Sequence, residues 1–257
     1  MPTKRPRRRR PIRGAFLLPS AFTTGNLFLG FLAIVQGLDS HFVNAALLIF
    51  VAGVLDGLDG WLARQTGSES DFGKQYDSLA DFATFGVAPA LLAYLWGLNE
   101  LGRIGWLVPF FFLVCSAARL ARFNIQKKEG QSRFFVGLPM PAAGGMLASV
   151  LFIAPDNSWK GWLNLLLLGV VIALALLMVS TFRYLNPQPF ARRRVWSYRI
   201  VLLTAGVVLL VAYHPPAFFV SVGSLYTCSG PVGWLRSRIA ARRSSEPSQR
   251  SAVWRDR

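Results

Sequence analysis

Apolar residues in this chain come in long blocks, separated by short connectors that hold most of the charge. Blocks run at about 22–38, 42–63, 73–97, 104–123, 139–155, 162–182, 199–213 and 217–235. A helix that crosses a bilayer needs about 20 mostly apolar residues, and most of these blocks approach that length. The pattern predicts an all-α membrane protein, a polytopic bundle of about eight transmembrane helices. His-Pro-Pro at 214–216 breaks the last two blocks apart. The first and fifth blocks are short and rich in glycine.

Composition strengthens that reading. Of the 257 residues 53% are hydrophobic, above the roughly 45–50% of a soluble domain. The net charge of +16 could suggest nucleic acid, but Lys and Arg sit between apolar blocks rather than along one face. Their placement belongs to membrane topology. With the N-terminus inside, the inside segments hold 26 of the 28 Lys and Arg residues, and the outside loops hold Arg103 and Lys160. That distribution obeys the positive-inside rule and predicts both termini in the cytoplasm. The expected organisation is a basic tail with an interfacial segment at 1–20, a six-helix core at 21–182 and two further helices at 183–235. A basic tail with no apolar block follows at 236–257.

Cys115 and Cys228 fall in apolar segments with no CxxC or Cys/His spacing, so neither a disulfide framework nor a zinc site is expected. His41 and His214 lie at span ends, away from candidate partners, which argues against a histidine-based nucleophilic triad.

One stretch departs from the apolar pattern: DGLDGWLARQTGSESDFGKQYDSLAD, residues 56–81. Asp56 and Asp59 lie three apart near the end of the second span. Asp77 and Asp81 lie four apart near the start of the third. Each spacing puts a pair on one helix face. The short link QTGSESDF (65–72) makes the two helices antiparallel neighbours, so all four carboxylates can converge on a cavity facing the cytoplasm. One carboxylate at mid-membrane costs about 2.5–3.5 kcal/mol on insertion scales, and four together add mutual repulsion. Arg64 and Lys74 are the only cations on these segments. Bound divalent metal is the obvious compensation, and all-oxygen ligation favours Mg²⁺ or Mn²⁺ over zinc. The plainer alternative is helix-end charges facing water. Glu69 and Asp71 read as solvated loop charges. Gly53, Gly57, Gly60 and Ala63, with Gly73 across the link, would admit a close backbone or a bulky ligand. Arg64 is placed to meet an anionic phosphate.

These residues fit DxxDGxxAR-x8-GxxxDxxxD at Asp56, Asp59, Gly60, Ala63, Arg64, Gly73, Asp77 and Asp81. That pattern is similar to the signature of the CDP-alcohol phosphatidyltransferase family. The resemblance implies transfer of a lipid phosphoryl group from a CDP-linked lipid to an alcohol, with loss of CMP. It implies two divalent metals bridged by Asp56 and Asp77, with Asp59 completing one site and Asp81 the other. Asp81 would also be the general base, and Gly60, Ala63, Arg64 and Gly73 would lie along the CDP-lipid. It further implies a multi-pass cell-membrane protein, active at the cytoplasmic face, and a homodimer.

Three further stretches, LLPSAFTTGNLFLGFLAI, ARLARFNIQ and VGLPMPAAGG, look like the phosphatidylserine synthase branch of that family. The expected substrates are then CDP-diacylglycerol and L-serine. Arg119 and Arg122, three apart at the end of the fourth span, could hold the serine carboxylate, with Asn124 near the amine. Read otherwise, the two arginines are ordinary cytoplasmic anchors. Sister acceptors are glycerol 3-phosphate, inositol phosphate and choline. Pro139, Pro141, Gly144 and Gly145 are expected to shape the cavity, and Thr23 and Asn26 to contact cytidine or acceptor. A divalent-cation transporter is the alternative of another class, disfavoured because the acids sit toward one face and no inverted repeat is visible.

Overall fold

The computed structural model describes residues 17–66, 70–126, 134–154, 161–185 and 215–244. The seventh expected span, most of both basic tails, Glu69 and His214 lie outside the described residues.

The described chain is helical, with one small strand pair. Helix α1 (Leu17–Leu38) ends where Ser40 turns left-handed, with φ 61°, and His41 N–H bonds back to the Gln36 carbonyl at 2.8 Å. That tight reversal sends α2 (Phe42–Thr66) back along α1. Ser70 caps α3 (Asp71–Asp81) by accepting from the Gly73 N–H at 2.9 Å. A π-helical turn (Phe82–Val87) follows without a break and leads into α4 (Ala88–Trp96). A 3₁₀ turn (Leu98–Leu101) precedes α5 (Gly102–Gln126). Pro139 starts α6 (Met140–Ile153), where proline forfeits no intrahelical donor. Helices α7 (Trp162–Val179) and α8 (Pro215–Ser244) complete the described residues.

Among the described residues, five segments are long and apolar enough to cross a membrane: Ser20–Leu38, Phe42–Gly60, Asp71–Trp96, Leu98–Ile125 and Trp162–Val179. They match expected spans one, two, three, four and six. The fifth expected span is the shorter apolar α6, and the eighth lies within α8.

Packing converges on the π-helical turn. Phe85 is fully buried among α2, α4 and α6 residues such as Ile49, Ala52, Leu92 and Leu147. Backbones approach closely here because glycines allow it. A Cβ on Gly30 of α1 would lie 2.6 Å from Thr84 Oγ1 and 2.9 Å from Thr84 Cα. At the opposite end of the bundle, Trp96 Nε1 donates to the Ala154 carbonyl at 2.7 Å, and Asn164 Nδ2 donates to Glu100 at 3.0 Å.

The strand pair adds to the all-α expectation. β1 (Phe134–Val136) pairs antiparallel with β2 (Arg183–Leu185), in register Phe135↔Tyr184. It joins the connector before α6 to the connector after α7. Gly137 follows β1 with φ 81°, and a side chain there would collide with the Met178 carbonyl. Tyr184 is fully buried, and its hydroxyl donates to the Thr227 carbonyl of α8 at 3.2 Å. Helix α8 also stacks Phe219 on Phe50 of α2, with ring centroids 3.7 Å apart. The last helix is therefore docked on the core, not appended to it.

Candidate active site

The reversal between α2 and α3 delivers the four aspartates as their spacing predicts. Asp56, Asp59 and Asp77 each offer a carboxylate oxygen within 4.8 Å of the others. Asp59 is buried, and Asp56 and Asp77 are half-buried. Asp81 stands one turn beyond Asp77, within hydrogen-bonding reach of Asp56 and in the field of Asp77 and Asp59. All four therefore form one cluster, with Asp81 at its inner edge.

Helix α1 supplies donors to this cluster. Thr23 Oγ1 donates to Asp59 Oδ2 at 3.0 Å, and Asn26 Nδ2 donates to Asp81 Oδ1 at 3.3 Å. Asn26 is fully buried, and its own carbonyl accepts from Thr84 Oγ1 in the π-helical turn at 3.1 Å. Sequence reasoning pointed Thr23 and Asn26 at substrate. In the structure Thr23 Oγ1 and Asn26 Nδ2 face the carboxylates, and the signal in the sequence was polar residues three apart on a largely apolar helix.

Gly60 lies half-buried one residue past Asp59. Ala63 and Arg64 fall on the last turn of α2, with their side chains outside the described ones. Gly73 sits in the first turn of α3, where a Cβ would meet Ser70 Oγ at 3.0 Å. A Cβ placed on Gly53 would lie 3.8 Å from the Phe85 ring, whereas nothing lies within 4 Å of one placed on Gly57. Gly144 closes on the Phe85 carbonyl, and Gly145 faces open space.

The two arginines of α5 part company. Arg119 is buried, lies 5.2 Å over the Phe123 ring and interacts electrostatically with Asp81 and with Tyr226 of α8. Arg122 instead reaches the carbonyls of Val179 and Ser180 at the α7 C-terminus, both at the outer limit of 3.5 Å. Asn124 accepts a long 3.5 Å contact from Ser78, which sits between Asp77 and Asp81. Arg122 thus contacts the end of α7, while Arg119 lies buried beside Phe123.

The donor set is all oxygen and strongly anionic, which suits a hard divalent cation such as Mg²⁺ or Mn²⁺. Asn26 Oδ1 beside it is a further buried oxygen, with no hydrogen bond among the described residues, and fits the same kind of ion.

Helices long and apolar enough to cross a membrane, with a carboxylate cluster near the ends of two antiparallel ones, define a membrane protein whose site suits a hard divalent cation. The CDP-alcohol phosphatidyltransferase profile matches residues 16–212. The chain belongs to the CDP-alcohol phosphatidyltransferase family. It is 38% identical over 229 residues to CDP-diacylglycerol–serine O-phosphatidyltransferase of Helicobacter pylori strain J99, covering 88% of this chain and 94% of that protein. The protein of the same name from Bacillus subtilis strain 168 is 37% identical, covering 71% of this chain and 97% of its own. That from Methanocaldococcus jannaschii is 34% identical, covering 80% and 91%.

Proposed function

We propose that this protein transfers a phosphatidyl group from CDP-diacylglycerol to L-serine, giving phosphatidylserine and CMP. The observation that carries the reading is the convergence of Asp56, Asp59 and Asp77 beside Asp81, in a chain that matches relatives of that name over 91% to 97% of their length.

The serine hydroxyl oxygen attacks the phosphorus on the lipid side of the diphosphate. The bond from that phosphorus to the bridging oxygen breaks, and the electron pair leaves with CMP. Asp81 takes the hydroxyl proton; its place at the inner edge of the cluster suits a base held beside the reacting phosphorus. Asp56, Asp59, Asp77 and Asp81 would hold two divalent ions, which when bound would neutralise the diphosphate and the charge developing on CMP. Gly60, Ala63, Arg64 and Gly73 line the CDP-lipid. Arg119 holds the serine carboxylate, and burial with Phe123 beneath it fixes the guanidinium plane. Asn124 meets the amine, and Arg122 braces the end of α5 against α7.

The site lies at the cytoplasmic face of the cell membrane, with both termini inside, and the enzyme works as a homodimer. The charge distribution along the chain supports this topology. So does the strand pair, which links two connectors that the topology places on the same side.

The test is CMP release from CDP-diacylglycerol by purified protein with Mn²⁺ or Mg²⁺. L-serine, glycerol 3-phosphate, inositol phosphate and choline are offered in parallel, with Asp81→Asn as control. Serine-dependent release that vanishes in the variant is expected. Release with another acceptor refutes the serine reading, and none with any acceptor refutes the transfer.

A further inference from the structure

The mechanism above gives no task to Thr23 and Asn26 of α1, yet both are buried, at 4% and 0% exposure. They lie three apart, on one face of the helix. One donates to Asp59 of α2 and the other to Asp81 at the end of α3. By the family resemblance those two carboxylates would complete different metal sites. One helix face therefore ties together the far ends of the cluster.

Asn26 is itself held from behind. Its carbonyl takes the Thr84 hydroxyl at 3.1 Å, and Thr84 is fully buried in the π-helical turn that begins right after Asp81. Bond by bond, the path runs from the turn through Thr84 and Asn26 back to the Asp81 carboxylate. Gly30, one turn further along α1, lets the two backbones come close enough for it. The Asn26 amide points its N–H side at Asp81 and leaves Oδ1 buried without a donor among the described residues. A merely structural asparagine would be expected to satisfy both ends of its amide within the fold.

We propose that Thr23 and Asn26 are positioning residues, which orient Asp59 and Asp81 for cation binding from a single face of α1. They act through the carboxylates, as hydrogen-bond partners behind metal ligands do elsewhere, where their loss costs about 10–100-fold in metal affinity. The inference rests on the metal-dependent reading of the site, but not on the choice of serine as acceptor.

The experiment uses full-length protein in lipid nanodiscs, without substrate, and follows free Mn²⁺ by electron paramagnetic resonance during titration. Thr23→Val and Asn26→Ala are each expected to weaken Mn²⁺ affinity by about 10–100-fold, and Thr23→Ser to recover it to within about threefold. Thermal unfolding of the metal-free proteins is measured beside it, because a structural role alone would lower the unfolding temperature and leave Mn²⁺ affinity of the folded protein intact. Unchanged affinity in folded variants overturns the proposal. So does a raised KM for CDP-diacylglycerol with Mn²⁺ binding preserved, since that outcome makes the pair substrate contacts. If Asn26→Ala does not fold, Thr23→Val, which keeps the side-chain shape, decides. Wild-type protein that binds Mn²⁺ but releases no CMP with serine refutes the proposed acceptor, while the Mn²⁺ comparison still judges this inference. Wild-type protein that binds no Mn²⁺ overturns both.

Discussion

Replacing Gly30 with alanine is expected to cost about two orders of magnitude in kcat/KM, although the residue touches no substrate. The added Cβ would stand 2.6 Å from Thr84 Oγ1 and 2.9 Å from Thr84 Cα. Non-bonded carbon atoms settle at about 3.5–4.0 Å, so α1 and the π-helical turn must part by roughly 1 Å. A hydroxyl rotation cannot relieve the contact, because one of the opposing atoms is backbone. The gap opens across the Thr84–Asn26 hydrogen bond and displaces Asn26 from Asp81. Misplacing a reacting group by about 1 Å can cost on the order of 10²-fold, equivalent to about 2.7 kcal/mol of barrier. Overpacking of this kind also destabilises by about 1–3 kcal/mol. The assay is serine-dependent CMP release from CDP-diacylglycerol in nanodiscs, read as kcat and KM separately, with thermal unfolding measured beside it. Wild-type kcat/KM in Gly30→Ala would refute the claim that the contact between α1 and the turn sets the geometry of Asp81.

Asp77→Asn is expected to weaken Mn²⁺ affinity by more than the about 10–100-fold typical of outer partners, because it removes a charged oxygen from the 4.8 Å cluster; titration of Mn²⁺ checks it. Arg119→Lys is expected to raise KM for L-serine about tenfold or more, the worth of one charged hydrogen bond, and to do so more than Arg122→Lys, since Arg122 points to the α7 terminus. Steady-state kinetics at saturating CDP-diacylglycerol separates the two. Trp96→Phe is expected to cost about 1 kcal/mol of stability by removing the 2.7 Å bond to the Ala154 carbonyl, with serine turnover unaffected at the far end of the bundle. Gly137→Ala is expected to destabilise the protein, because it forces a side chain onto φ 81° and into the Met178 carbonyl; the unfolding temperature reports it.

The aspartates were legible in the sequence because everything that brings them together is local. Spacings of three and four set each pair on a helix face, and a short link makes the helices antiparallel. Spans one to four and six emerge for a similar reason, since hydropathy needs no knowledge of neighbours. The contribution of α1 was not legible in that way. Thr23 and Asn26 meet carboxylates 36 and 55 residues further along the chain, and no local rule says which helix face a distant segment will cover. The π-helical turn is hidden inside FATFGV, which continues the apolar run of the third span without any break. Strands of three residues, FFV and RYL, are too short to show alternation. The divergence of Arg119 and Arg122 was also out of reach, because it depends on where α7 ends and on Phe123 beneath one guanidinium.

The strand pair between Phe134–Val136 and Arg183–Leu185 has a consequence for biogenesis. β1 leaves the ribosome before α6 and α7, and β2 leaves after both. Pairing therefore cannot begin until the two helices have been made and the chain has returned to the side it left. Once paired, the strands hold the two ends of that excursion together, like the clasp of a bracelet. Tyr184 in the clasp then offers the docking point for α8. The order of synthesis thus becomes an order of assembly, in which the carboxylate helices are in place first and the helix beside Arg119 arrives last.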